Sequence, residues 1–135
     1  MHTITSEYKG QLRTENTHLK SGRKLITDAP TDNQGRGEAF SPTDLVCTAL
    51  CSCMMTIMGI RARDENIDLE GMQANVTKIM AANPRKISKI KIVFTKTDLQ
   101  ATPNQLEMLK QAALTCPVAL SINEDISQEV TFNFS

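Results

Sequence analysis

The sequence predicts an α+β domain, a mostly antiparallel sheet packed around a long buried central helix, and three observations carry that expectation. A strong helix start, Ser41-Pro42-Thr43-Asp44, opens the most apolar stretch of the chain, residues 45–60. Two alternating segments, residues 72–80 and 87–97, flank an Asn83-Pro84 turn and read as one long hairpin. The element order is then strands, long helix, hairpin, helices, last strand, in 135 residues, a length suited to one domain over residues 1–135.

The first 40 residues read as short strands and turns. Lys9-Gly10 and Ser21-Gly22 are the turns, with residues 11–15 and 25–27 extended. Residues 28–40 hold Pro30, Gly35 and Gly37 among polar turn formers, which predicts an exposed loop long enough to act as a lid. At the helix start Ser41 can cap, Pro42 suits the first helical position, and Asp44 stands three residues after the cap at the positive dipole end. The helix is expected to reach Asp64 or Glu65, and with only Thr48, Ser52 and Thr56 interrupting its apolar surface, almost its whole circumference is fit for burial. In the hairpin, Ile90, Ile92 and Phe94 fall on one face and Lys89 and Lys91 on the other. Thr102-Pro103-Asn104-Gln105 is a second capping box, followed by Leu106, Leu109 and Ala113 along one face of a helix that ends near Thr115. Pro117 breaks that helix and starts a short one over residues 118–122, with Cys116 just before its N-terminus. Val130, Phe132 and Phe134 alternate in a final strand.

Composition narrows the function. With 40% hydrophobic and 22% charged residues the chain is globular, not disordered. Fifteen basic and fifteen acidic residues give a net charge of zero, with no run of five like charges, so nucleic acid and anionic membrane surfaces are not expected partners. Residues 45–60 are too few for a membrane span, and no basic then apolar leader opens the chain, so the expected compartment is the cytoplasm.

In a reducing compartment the four cysteines are poor candidates for a static disulfide framework. Cys47, Cys51 and Cys53 fall in one helix, where Cys47 and Cys51 share a face and Cys53 points nearly opposite to Cys51, so the three cannot serve one metal. His2 and His18 are not paired at ligand spacing either, and no metal or cofactor is expected. Cys47 and Cys51, beside Met54, Met55 and Met58, read as packed small hydrophobes. Cys116, ahead of a helix N-terminus, is placed where thiolate is favoured. Nothing in the spacing alone separates Cys53 from its helical neighbours.

Taken together, these residues resemble the OsmC/Ohr family of thiol-dependent hydroperoxide reductases. Ser41-Pro42-Thr43-Asp44-Leu45 is followed eight residues on by Cys53 in Ala49-Leu50-Cys51-Ser52-Cys53, and later by Thr115-Cys116-Pro117-Val118. Gly10-Gln11-Leu12-Arg13, Asp28-Ala29-Pro30 and the alternating C-terminal strand extend the likeness over most of the chain, closest to the broad OsmC-like branch. The resemblance implies the OsmC-like fold as an intertwined homodimer, and a peroxidase in which Cys53 attacks an organic hydroperoxide and Cys116 resolves the sulfenic acid to a disulfide. It implies Arg13, with Arg23 as the alternative, as the cation that favours the Cys53 thiolate and holds the departing oxygen. It further implies reduction by an external dithiol, in some members a lipoyl protein, and a role in stress response. Well-studied members carry a glutamate that holds the arginine where this chain has Thr43, which leaves open whether the arginine is clamped. Val46, Leu50, Met54, Ile57 and Phe40 are expected to form an apolar wall for the peroxide's organic chain. The alternative reading is a non-catalytic OsmC-like binding or sulfur-handling module.

Overall fold

The computed structural model describes residues 1–135. Its contacts group the chain into two compact units, Met1–Val46 and Cys47–Ser135, with the division falling inside the long helix.

The first unit holds an antiparallel sheet of three strands in sequence order, β1 (Ile4–Gly10), β2 (Arg13–His18) and β3 (Lys24–Asp28). The β1–β2 turn lies on Gln11 and Leu12, both left-handed at φ 53° and 64°, two residues beyond the Lys9-Gly10 expected from sequence. Gly10 instead ends β1 opposite Arg13, after a register shift that follows Tyr8. The Tyr8 hydroxyl accepts from the Leu12 amide at 3.2 Å, and the Leu12 carbonyl accepts from Ala29 at 3.1 Å, so a turn without central glycine is tied down on two sides. The second turn falls at Ser21-Gly22 as expected, with Gly22 donating to His18 at 2.8 Å.

Residues between β3 and the long helix do not form a free lid. Asp28 donates to Phe40 at 3.0 Å, Gly35 to Pro30 at 2.9 Å and Gly37 to Ala29 at 3.1 Å, around a short 3-10 turn at Thr31–Asn33. A Cβ on Gly35 would lie 1.8 Å from the Ala29 carbonyl oxygen, so only glycine lets this loop fold back so closely.

Helix α1 spans Pro42–Asp64, as the sequence predicts. Its start is a reciprocal cap: Ser41 Oγ accepts from the Asp44 amide and Asp44 Oδ2 from the Ser41 amide, both at 3.0 Å. Its end is a Schellman closure, with Asn66 left-handed at φ 58°, Asn66 donating to Arg63 and Ile67 to Ala62. At 23 residues the helix is long and apolar enough to cross a bilayer by length and composition, so the length argument made from residues 45–60 does not hold. Burial also differs from expectation. Cys47, Leu50, Cys51, Met54, Met58 and Ala62 form one covered stripe, while Ala49 and Ile60 are exposed and Cys53, Met55 and Ile57 half-buried. One copy of the chain covers one face, not the circumference.

The second unit continues with β4 (Gln73–Ala81) and β5 (Lys86–Lys96) as the expected hairpin, then α2 (Pro103–Leu114), α3 (Pro117–Ser121) and β6 (Ser127–Phe134). β5 is central, antiparallel to β4 and parallel to β6. The crossover through α2 and α3 is what permits the parallel pairing, since adjacent parallel strands cannot be joined by a hairpin. Ile90, Ile92 and Phe94 are wholly buried, as are Leu50, Met54, Met58, Leu109 and Ala113. Phe94 stacks on its β6 neighbour Phe132 with centroids 5.6 Å apart. The Thr102–Gln105 capping box closes in both directions at 2.9 and 3.2 Å.

Two stability outcomes follow from this packing. Phe94→Ala is expected to lose about 3–5 kcal/mol in urea unfolding, the range for emptying a close-packed aromatic site. Thr102→Ala, which removes one exposed cap, should lose only ~1 kcal/mol in the same measurement.

Candidate functional site

The local sequence dictates where each thiol goes. On α1 the covered stripe takes Cys47 and Cys51, 3% and 8% exposed, and turns Cys53 toward the less covered side. Burial pushes the Cys51 thiol up, which makes it a poor nucleophile at neutral pH. Cys116 ends the break between α2 and α3 that Pro117 imposes, with no exposed surface. Its Sγ accepts from the Ala119 amide at 3.4 Å and so caps α3. Cys53, sixty-three positions away in sequence, acts on the Cys116 thiol, so the two side chains lie near one another.

The Cys116 thiol is pushed up, first by burial and then by the Cys53 side chain, with the Ala119 and Val118 amides pulling the other way. The helix-start argument from sequence pointed to thiolate at Cys116; burial outweighs it. Of the two, Cys53 is half-buried and Cys116 has no exposed surface.

Arg13 lies in the first unit, and there the structure supplies what the sequence left open. Its Nε and Nη2 hold the two oxygens of Asp28 at 2.7 and 2.8 Å, a bidentate fork, and Nη2 also reaches Glu38 Oε1 at 3.0 Å. Asp28 is wholly buried and its remaining demand is met by the Glu38 amide at 3.2 Å. The Arg13 hydrogen bonds hold the Asp28 carboxyl below its usual range, against the opposing effect of burial, and Asp28 in turn keeps the guanidinium protonated. Thr43 does not take the glutamate's place: its hydroxyl bonds Ser41 Oγ at 3.1 Å, within the helix cap. Arg23 sits exposed at the β2–β3 turn.

Asp28 and Glu38 were not singled out from the sequence as partners of Arg13. A signal existed for the first: a hairpin turn at Ser21-Gly22 sets Arg13 opposite Asp28 in register. Glu38 reaches Arg13 from a loop, and no periodicity encodes that. The apolar wall expected for the peroxide's organic chain is not intact, because Leu50 and Met54 are wholly buried core residues. No three His, Cys, Asp or Glu side chains are arranged to hold a metal ion.

The profile of the family described as OsmC-like protein matches residues 35–131. Among solved structures, a protein of Psychrobacter arcticus 273-4 named for osmotic stress induction and detoxification is 51% identical, with TM-score 0.93 over 98% of this chain and 96% of that one. An organic hydroperoxide resistance protein OsmC of Legionella pneumophila is 19% identical with TM-score 0.70, covering 98% of both chains. A Vibrio cholerae protein named for organic hydroperoxide resistance, solved with captopril in one of its active sites, is 15% identical with TM-score 0.70 over 98% of this chain and 92% of that one. No curated protein sequence matches the chain.

The buried Asp28 carboxylate sets an acid limit on stability. A carboxyl whose folded value is depressed contributes stability that is fully present above its unfolded value of about 3.9 and lost as pH falls through the lower folded value. Asp28→Asn should therefore be less stable than wild type in urea unfolding at pH 7, with the gap closing below about pH 4.

Proposed function

The chain belongs to the OsmC-like protein family, and from that membership we propose that it is a two-cysteine thiol peroxidase that reduces organic hydroperoxides. The observation that carries the reading is the proximity of a half-buried thiol, Cys53, to a wholly buried one, Cys116, whose thiol it pushes up. In the first step the Cys53 thiolate attacks the outer oxygen of ROOH; the O–O bond breaks, Cys53 becomes sulfenic acid, and the alkoxide leaves as ROH after taking a proton. In the second step Cys116 sulfur attacks Cys53 sulfur, water leaves, and a Cys53–Cys116 disulfide forms. Oxidation of Cys53 removes the negative charge that helps keep the proton on Cys116, and the Ala119 and Val118 amides favour the emerging thiolate. The buried thiol is thus released for attack once its partner has reacted.

An external dithiol, free or lipoyl-bound, then reduces the disulfide by two exchanges and is itself oxidised to a disulfide, so the cycle requires no metal or flavin. In this reading Arg13 supplies the positive charge that favours the Cys53 thiolate, and the protein works as a homodimer in the cytoplasm in a stress response. The half-exposed Ile57 and exposed Ile60 of α1 support a second copy, because they leave apolar helix surface to be covered.

A second reading is favoured by one observation. Arg13 is already held by two carboxylates, so its charge is largely neutralised where it stands. A non-catalytic OsmC-like module that binds an apolar ligand or carries sulfur would fit that balance.

One equivalent of cumene hydroperoxide added to the reduced protein separates the two. The peroxidase yields one equivalent of alcohol and a Cys53–Cys116 peptide in mass spectrometry; no alcohol and no such bond contradict it. Cys116→Ser should still release one equivalent of alcohol but stop at an oxidised Cys53, while Cys53→Ser should release none.

A further inference from the structure

The chain is neutral as a whole, yet charge is divided along its second unit. Residues 64–77 hold Asp64, Glu65, Asp68 and Glu70 and no cation, while residues 71–97 hold Lys78, Arg85, Lys86, Lys89, Lys91 and Lys96 and no carboxylate. The fold concentrates three of these cations further. The register of β5 with β4 skips Ser88, whose hydroxyl donates to the Ile79 carbonyl at 3.0 Å, so that Ile87 pairs with Met80 and Lys89 with Ile79. This extra residue turns Ile87 inward beside Ile90, at 8% and 0% exposure, and sets Lys86 on the outer face with Lys89 and Lys91. Strict alternation without the bulge would send Lys86 to the core side. The carboxylate that reaches the three lysines is Glu129 of β6, 3.8 Å from Lys89 and 3.5 Å from Lys91.

The acidic segment is presented as openly. Asp64, Glu65, Asp68 and Glu70 are exposed around a buried anchor, Ile67, whose amide donates to Ala62 at 2.8 Å, and Asp68 Oδ1 accepts from the Glu70 amide at 2.9 Å. Arg61 and Arg63, on the last turn of α1, offset part of this charge at the helix end. Within one copy the lysines and the segment stand toward opposite ends of the hairpin. Ile79 and Ala81, opposite Lys89 and Lys86, lie six and eight residues along β4 from Gln73, about 20 and 27 Å at about 3.4 Å per residue. Charge is screened over about 10 Å at 0.1 M salt, so the two groups do not neutralise each other. Between copies they are complementary. We infer that the lysine face of β5 docks the Asp64–Glu70 segment of a second copy, a head-to-tail contact separate from the apolar α1 contact proposed above and independent of the thiol chemistry. Glu129 among the lysines and the acidic segment itself oppose a polyanion such as DNA on this unit. A contact made by exposed charges is weak and dissolves in salt.

Sedimentation velocity of the concentrated full chain in about 10 mM and about 300 mM sodium chloride tests the contact. The wild-type weight-average sedimentation coefficient should be at least about 1.5-fold higher at low salt, as head-to-tail assembly adds copies to the high-salt species. A lysine-face reversal combines Lys86→Glu, Lys89→Glu and Lys91→Glu with Glu129→Lys, which keeps the cross-strand pairs opposite in charge. A segment reversal combines Asp64→Lys, Glu65→Lys and Glu70→Lys and spares Asp68, which holds the turn. Each reversal alone should stay at its high-salt value, because like charges then meet, and an equimolar mixture of the two should regain the low-salt rise. Wild type of the same size at both salts overturns the inference, as does a lysine-face reversal that assembles like wild type or a mixture that does not assemble. If wild type fails to assemble yet binds a short DNA duplex or polyglutamate at low salt through the same lysines, the face serves another acidic partner and the inference is likewise overturned. Circular dichroism melts identify a reversal that does not fold. The neutral set Lys86→Gln, Lys89→Gln and Lys91→Gln should then lose most of the low-salt rise, and its full retention overturns the inference.

Discussion

A thiol with no solvent exposure, Cys116, lies near a half-buried one, Cys53, and the chemistry proposed for this chain depends on that inequality. Two equally exposed thiols would both meet the oxidant, and two equally buried ones would meet neither oxidant nor reductant. Burial raises the cost of charging Cys116 and so reserves it for a partner already within reach. The inequality traces to two local features. The helical spacing of α1 sends Cys47 and Cys51 into the covered stripe and Cys53 away from it, and Pro117 interrupts the chain so that Cys116 caps a new helix.

The parts of the fold that were legible in the sequence are those encoded by short-range chemistry. The starts of α1 and α2 are reciprocal capping boxes spelled out in four residues, the α1 end point is set within a residue, and the Ile90, Ile92 and Phe94 alternation reports the buried face of β5. Where the first hairpin turns was misjudged because Gln11 and Leu12 adopt left-handed conformations that the glycine beside them would suit better, and only the Tyr8 hydroxyl and Ala29 amide reveal why. Division of the strands into two three-stranded sheets, and the parallel pairing of β5 with β6, are long-range choices without a local signature.

The candidate site was legible in part. Cys53 and Cys116 come from a resemblance in ordered motifs, since spacing alone does not rank Cys53 above its neighbours, and Cys53 is near enough to push the Cys116 thiol up. With Thr43 where related chains carry a glutamate, the sequence leaves open whether Arg13 is clamped. Its carboxylate partners come from the end of β3 and from the loop, fifteen and twenty-five residues away, and the loop partner leaves no pattern in the sequence. The helix stripe shows the reverse failure: an apolar surface does not say whether the same chain or another copy covers it.

The most direct measurement is the identity of the oxidised species at equilibrium in a glutathione redox buffer, read by peptide mapping after acid quenching. Proximity gives the two thiols a high effective concentration for one another, so an internal Cys53–Cys116 bond is expected as the dominant oxidised form, with Cys47 and Cys51 reduced. Glutathione attached to Cys53 while Cys116 stays reduced, or an internal bond that involves Cys47 or Cys51 instead, would contradict it.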